Sequence, residues 1–191
     1  MIEIGSYLGL STKFFLDLME PWGGRITSID PNIRYRQFEK PRKYFKKLLE
    51  NDWSRIRCID GFWISNDSID SDWDYLNRKP ILTKEEISKK MMSPPIMGPQ
   101  DINEKFDMGF IDGAHDYESA QRDFKNLCKI MKPHGCILFD DTNPDIWPEI
   151  FRVIMDLKEE VSKNKLGYVY CGVEIAAFFD NGYFETQQVS S

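Results

Sequence analysis

Residues 2–12 constrain the fold more than any other stretch: Ile2-Glu3-Ile4-Gly5-Ser6-Tyr7-Leu8-Gly9-Leu10-Ser11-Thr12. Ile2 and Ile4 are β-branched and suit a buried strand. Gly5 and Gly9 suit a backbone that bends sharply and lets a ligand come close. Ser11 and Thr12 are placed to cap a following helix. A strand, a tight glycine turn and a helix are the opening of an α/β unit, and ligands of open α/β sheets bind at the carboxyl ends of the strands. A glycine turn without a ligand is the alternative reading of this segment alone.

The same loop narrows the ligand. A dinucleotide fingerprint needs G-x-G-x-x-G to bring backbone amides onto a pyrophosphate. Gly5-x-x-x-Gly9 lacks the middle glycine. Glu3 would repel a pyrophosphate and attract an ammonium group. The local chemistry favours a cationic, amino-acid-like ligand over a dinucleotide.

The chain then alternates. Phe14 to Met19 carries the apolar surface of a helix, which Pro21-Trp22-Gly23-Gly24 ends. Arg25 to Ile29 reads as a second strand, with Asp30 at its carboxyl end. An acid there, somewhat more than about 20 residues past a glycine loop, accepts the two hydroxyls of a ribose. The competing reading is that Asp30 caps the turn Asp30-Pro31-Asn32. Residues 33 to 50 read as a basic helical stretch that Pro41 breaks or restarts, and its charges are read as a solvated face. Arg55 to Ile59 is a third strand. Phe62 or Trp63 beyond it could stack on a base or belong to the core.

Residues 64 to 105 break the rhythm. They hold an acidic run (Asp67, Asp70, Asp72, Asp74), a capping box of Thr83 with Glu86, and the segment Ser93-Pro94-Pro95-Ile96-Met97-Gly98-Pro99. A connection this long is read as a lid or a substrate-facing insertion. Order returns with a strand at Phe106 to Ile111, a helix through Ala120, Phe124 and Leu127 stopped by Pro133-His134-Gly135, and a strand at Cys136 to Phe139. A helix over 144–161 follows, with Trp147 on its apolar face, and then two antiparallel closing strands at 168–171 and 173–179. Strand and helix in alternation predict a mostly parallel sheet covered on both faces, in a single domain over 1–191.

Composition excludes several classes of partner. The net charge of −6 argues against nucleic acid or an anionic membrane as the main partner. No apolar run is long enough to span a bilayer, and no basic leader is visible. The four cysteines show no metal or disulfide spacing and read as buried thiols of a reducing, cytoplasmic compartment.

Asp112, Asp140 and Asp141 fall at the carboxyl ends of predicted strands, so a doubly wound sheet gathers them along one edge. Three carboxylates together call for a cation, and an all-oxygen set suits magnesium. On spacing alone, a metal site and a pair of loop caps stand as equal readings. His115 lies one helical turn beyond Asp112 and is one of two histidines. It is a candidate proton acceptor, or else a helix-start donor.

Together, residues 3–11, 106–117 and 133–142 resemble class I S-adenosylmethionine-dependent methyltransferases, in the catechol O-methyltransferase-like form of methyltransferase family 24. The resemblance implies a Rossmann-like α/β fold, a doubly wound, mostly parallel seven-stranded sheet with an antiparallel last strand. It implies that Glu3 binds the methionine ammonium, that Gly5, Tyr7 and Ser11 surround its carboxylate, with Ser6 and Gly9 also among the cofactor-binding residues, and that Asp30 holds the ribose. Asp60, Gly61 and Phe62 would border adenine, with Asp112 also beside the cofactor. Asp112, Asp140 and Asp141 occupy the places of magnesium ligands, and His115 that of a lysine base. The acceptor implied is a small-molecule or sugar hydroxyl. Family members carry helices before the first strand, so either the insertion or an oligomeric partner, such as a second copy of the chain, supplies that cover, or the pocket is open and activity is poor. A non-catalytic cofactor-binding or assembly module is the alternative reading.

Overall fold

A computed structural model gives the structure of the protein and describes residues 1–32, 38, 40–63, 96–97, 102–163, 165–171 and 174–189. In chain order the elements are β1 (Ile2–Ile4), α1 (Leu10–Leu18), β2 (Ile26–Asp30), α2 (Pro41–Leu48), β3 (Ile56–Asp60), β4 (Phe62–Trp63) and β5 (Ile96–Met97). Then come β6 (Phe106–Ile111), α3 (Tyr117–Cys128), β7 (Met131–Phe139), α4 (Pro148–Ser162), β8 (Leu166–Cys171), β9 (Ile175–Asp180) and α5 (Tyr183–Val189). The class is α/β with a seven-stranded mixed sheet. The chain divides into two compact units, Gly5–Gln100 and Met1–Ile4 with Asp101–Ser191. Among the described residues, no helix is long and apolar enough to cross a membrane.

In the unit of Gly5–Gln100, β2 and β3 pair in parallel, and their register sets Asp30 beside Asp60 at the carboxyl ends. Phe15 and Leu16 of α1 and Phe45 of α2 are buried. Gly9 begins α1 in the left-handed region at φ 87°. A Cβ there would stand 2.7 Å from the Phe45 ring, so both the backbone and the packing demand glycine. The cap of α1 is therefore Gly9, without a side-chain hydrogen bond. Ser11 and Thr12, expected as caps, lie inside the helix. β4 pairs in parallel with β5 through Phe62 opposite Ile96 and Trp63 opposite Met97. The acidic run and the Thr83–Glu86 capping box lie outside the described residues, and of the expected lid at 64–105 only residues 96–97 and 102–105 are described.

In the other unit, β1 pairs with β6 and β6 with β7, all in parallel, while β9 runs antiparallel to both β7 and β8. The core centres on Phe124 of α3, Phe139 of β7 and Phe178 of β9. Their ring centroids stand 5.8 to 5.9 Å apart and all three are fully buried. Each such ring contributes ~2 kcal/mol or more by leaving water. Gly109 lets α3 approach the sheet, since a Cβ there would meet Leu127 at 2.9 Å.

Several boundaries differ from the sequence reading, and one helix is added to it. β7 begins at Met131 and runs through Pro133-His134-Gly135. The pairing jumps from Phe106–Met131 to Met108–Cys136, so the turn is an excursion within the strand. His134 takes φ 61°, and its N–H donates to Asp180. α4 begins at Pro148 and not at Pro144, because Asn143 first closes a turn in which its Oδ1 accepts from the Asp145 N–H and its carbonyl from Ile146 and Trp147. α5 has no counterpart in the sequence reading; Asp180 accepts from the N–H groups of Gly182 and Phe184, and Phe184 is fully buried. Cys58, Cys128 and Cys136 are free thiols.

Candidate functional site

The glycine turn of the first unit is tied to the end of β2. Gly5 at φ 82° donates its N–H to the Ile29 carbonyl at 2.9 Å. The buried Asp30 carboxylate accepts through Oδ2 from the N–H groups of Ser6 (3.1 Å) and Tyr7 (2.8 Å), and through Oδ1 from that of Asn32 (2.7 Å). The Asn32 bond is the turn-capping role that the sequence offers as the alternative for Asp30. The bonds to Ser6 and Tyr7 add a second role, holding the loop in shape. Asp60 receives Arg42 Nε at 2.6 Å, and Gly61 donates to the Asp30 carbonyl at 3.0 Å. Arg42 is a member of this site that the sequence reading misses, since a run of basic residues marks no single one of them. The side chain of Phe62 lies outside the described residues.

In the other unit, strand ends gather a second group. Glu3 is fully buried on β1, and Ile4 at the end of β1 accepts from the Asp112 N–H at 2.9 Å. Ile111 at the end of β6 accepts from the Asp140 N–H at 3.0 Å. Glu3, Asp112 and the pair 140–141 thus share one carboxyl edge of β1, β6 and β7.

Asp112, His115 and Asp141 each place a ligand atom within 4.8 Å of the other two. His115 Nε2 lies 3.9 Å from Asp112 Oδ1 and in contact with Asp141 Oδ2. The approach to Asp141 is not aligned as a hydrogen bond, and Nε2 has no hydrogen-bond partner. Asp141 holds φ 54°, a left-handed conformation that non-glycine residues adopt at some energetic cost. Thr142 anchors it through an N–H donated to the Glu174 carbonyl and a carbonyl that accepts from the Tyr170 hydroxyl. Asp140, read from sequence with the metal ligands, is outside this trio. Its Oδ1 accepts from the Asp141 N–H at 3.0 Å, and burial raises its pKa above the usual carboxylate value.

Two further residues border the trio. Trp147 stacks on His115, and Asp116 caps α3 by accepting from the Ser119 N–H at 3.0 Å. The sequence reading gives Trp147 to a helix face, because nothing in the spacing shows that α4 starts one residue later. Two carboxylates and an imidazole nitrogen at this separation fit a divalent cation.

Residues 2–142 match the methyltransferase domain family. The chain belongs to that family. It is a class I S-adenosylmethionine-dependent methyltransferase, and the matched segment takes in every candidate residue from Glu3 to Asp141. Solved structures share its fold. CalS11, a TDP-rhamnose 3'-O-methyltransferase, is 16% identical with a TM-score of 0.54, over 95% of this chain and 71% of its own. The N-methyltransferase NodS from Bradyrhizobium japonicum, solved with S-adenosylhomocysteine, is 15% identical with a TM-score of 0.54, over 94% and 76%. MycE of the mycinamycin pathway, solved with magnesium and S-adenosylhomocysteine, is 18% identical with a TM-score of 0.52, over 94% of this chain and 44% of its own. No curated protein matches the methyltransferase chain at a significant level.

Proposed function

We propose that this methyltransferase acts on a hydroxyl of a small-molecule or sugar acceptor, with a divalent cation at Asp112, His115 and Asp141. The observation that carries the reading is the meeting of those three side chains at the edge where β6 and β7 end, with ligand atoms within 4.8 Å. The sugar substrate in the name of CalS11 and the magnesium in the MycE complex support it.

S-adenosylmethionine, when bound, supplies an electrophilic methyl group. A divalent cation, when bound, acidifies a hydroxyl placed on it. The chain's own residues do the rest. Glu3 is a buried carboxylate suited to the methionine ammonium. The glycine loop and Asp30 shape the cofactor's seat. Asp112 and Asp141 hold negative charge where the cation is needed. His115 Nε2, without a hydrogen bond in the structure, either joins them as a ligand or takes the acceptor's proton. Positioning of acceptor oxygen against methyl carbon carries most of the rate, since the transfer needs little covalent help. Magnesium suits the carboxylates, and the imidazole extends the fit to manganese and zinc.

The test is release of S-adenosylhomocysteine over a panel of hydroxyl acceptors, with and without magnesium, in wild type and His115→Ala. Turnover lost on adding EDTA and restored by a divalent ion supports the reading; turnover indifferent to EDTA overturns the metal. A cation affinity that falls in His115→Ala makes His115 a ligand. A rate that falls at unchanged affinity makes it the base.

A further inference from the structure

Arg42 is a charged side chain held almost wholly out of water, 6% exposed. It stands at the second position of α2, after Pro41. Its backbone N–H donates to Asn32 Oδ1 at 2.8 Å. Its Nε donates to Asp60 Oδ1 at 2.6 Å and its Nη2 to the Ile59 carbonyl at 3.5 Å. The guanidinium lies over the Phe45 ring, 4.5 Å from its centroid. Nη1 is buried with no partner. Asn32 Nδ2 reaches the other carboxylate oxygen of Asp60 at 3.4 Å.

As a stability device this arrangement is poor. A buried ion pair rarely outperforms apolar packing, and an orphaned buried N–H carries a desolvation cost. What the arrangement does is fix one carboxylate. Asp60 is held through Oδ1 by the buried Arg42 and through Oδ2 by Asn32 at an exposed contact, while its own side chain stays 45% exposed at the end of β3. A carboxylate has about four lone-pair sites, so these two donors leave room for a further one.

We propose that Arg42 is a positioning residue: it fixes Asp60 as an acceptor-only group for the exocyclic amine of a 6-aminopurine, and so sets discrimination against 6-oxopurines. The proposal rests on the cofactor reading above and adds a residue and a selectivity to it. An amine at the purine 6-position donates to Asp60. An oxo group there sets a lone pair against a fixed anion and leaves it unpaired. Sites built for a donor reject analogues that lack it by orders of magnitude. A loosely held Asp60 can turn away from the oxo group, and the rejection weakens.

Calorimetry on the full chain with S-adenosylhomocysteine and S-inosylhomocysteine tests this, with thermal melts alongside. Wild type is expected to favour the adenosyl compound by roughly 100-fold or more. Arg42→Gln is expected to lower that ratio about tenfold, because the clamp is gone. If Arg42→Gln does not melt cooperatively, Arg42→Lys carries the test. It keeps a buried cation but cannot hold Asp60 and the Ile59 carbonyl with one planar fork. A variant that binds both compounds more weakly at an unchanged ratio overturns the positioning role. A wild-type ratio near one overturns the selectivity. A wild type that binds neither compound overturns the cofactor reading itself, and that outcome is distinct from the other two.

Discussion

Trp147 lies nearly flat on His115, with ring centroids 4.2 Å apart and planes 25° from parallel. The stack presses one face of the imidazole and leaves Nε2 facing Asp141. An aromatic contact of this kind is worth ~0.5–1.5 kcal/mol, which is up to about tenfold in how often His115 holds its place. Trp147→Ala is expected to slow methyl transfer by up to about tenfold, and Trp147→Phe to recover most of it. Steady-state rates of S-adenosylhomocysteine release check both.

Gly9 predicts a steric failure. Any side chain there meets Phe45 and strains a backbone at φ 87°. Gly9→Ala should destabilise the chain by ~2 kcal/mol or more, because the left-handed conformation and the clash add. Pairing it with Phe45→Leu should return part of the loss by clearing the contact, though the backbone strain stays. Denaturant melts of the single and double variants measure the two parts.

Asp123 on α3 gives a pH dependence. It is fully buried, Oδ1 has no hydrogen-bond partner among the described residues, and burial raises its pKa to about 7, with Arg122 pulling it down and Asp116 adding to the rise. The folded chain keeps this proton between the ordinary value of 3.8 and about 7, while the unfolded chain has released it. Folding therefore loses stability as pH rises through that window, by up to about 1.4 kcal/mol per pH unit from this group, and levels off above it. Asp123→Asn should flatten the slope. Melts from pH 4 to 8 decide it: an unchanged slope removes the assignment.

The thiols make a chemical prediction. Burial raises the pKa of Cys58 to about 11 and raises those of Cys128 and Cys136 as well. All three should alkylate slowly in the folded chain at pH 8 and rapidly in denaturant, since the thiolate is the reactive form. Mass spectrometry of timed iodoacetamide quenches reads this out.

Much of the fold is legible in the residues because it is written in local terms. Ile2 and Ile4, Gly5 and Gly9 specify a strand and its turn through branching and backbone freedom, both properties of single residues. The acids at 30, 112 and 140–141 are legible because a strand's end is a sequence position. The trio of Asp112, His115 and Asp141 is less so. His115 and Asp141 are 26 positions apart, and which carboxylate of the pair 140–141 turns toward His115 depends on the φ of Asp141, 54°. Arg42 is hidden for a related reason: one guanidinium among several basic residues is chosen by the packing of Phe45 and the reach of Asp60.

By itself, then, the sequence determined the alternation of strand and helix, the glycine turn, and the acids that close each strand, since these follow from propensity, period and backbone sterics. Tertiary structure alone decided that His115 faces Asp112 and Asp141, that Asp140 stands aside, that Trp147 covers the imidazole and that Arg42 clamps Asp60. Those are distances between side chains far apart in the chain, fixed only when burial and hydrogen bonding are satisfied all at once.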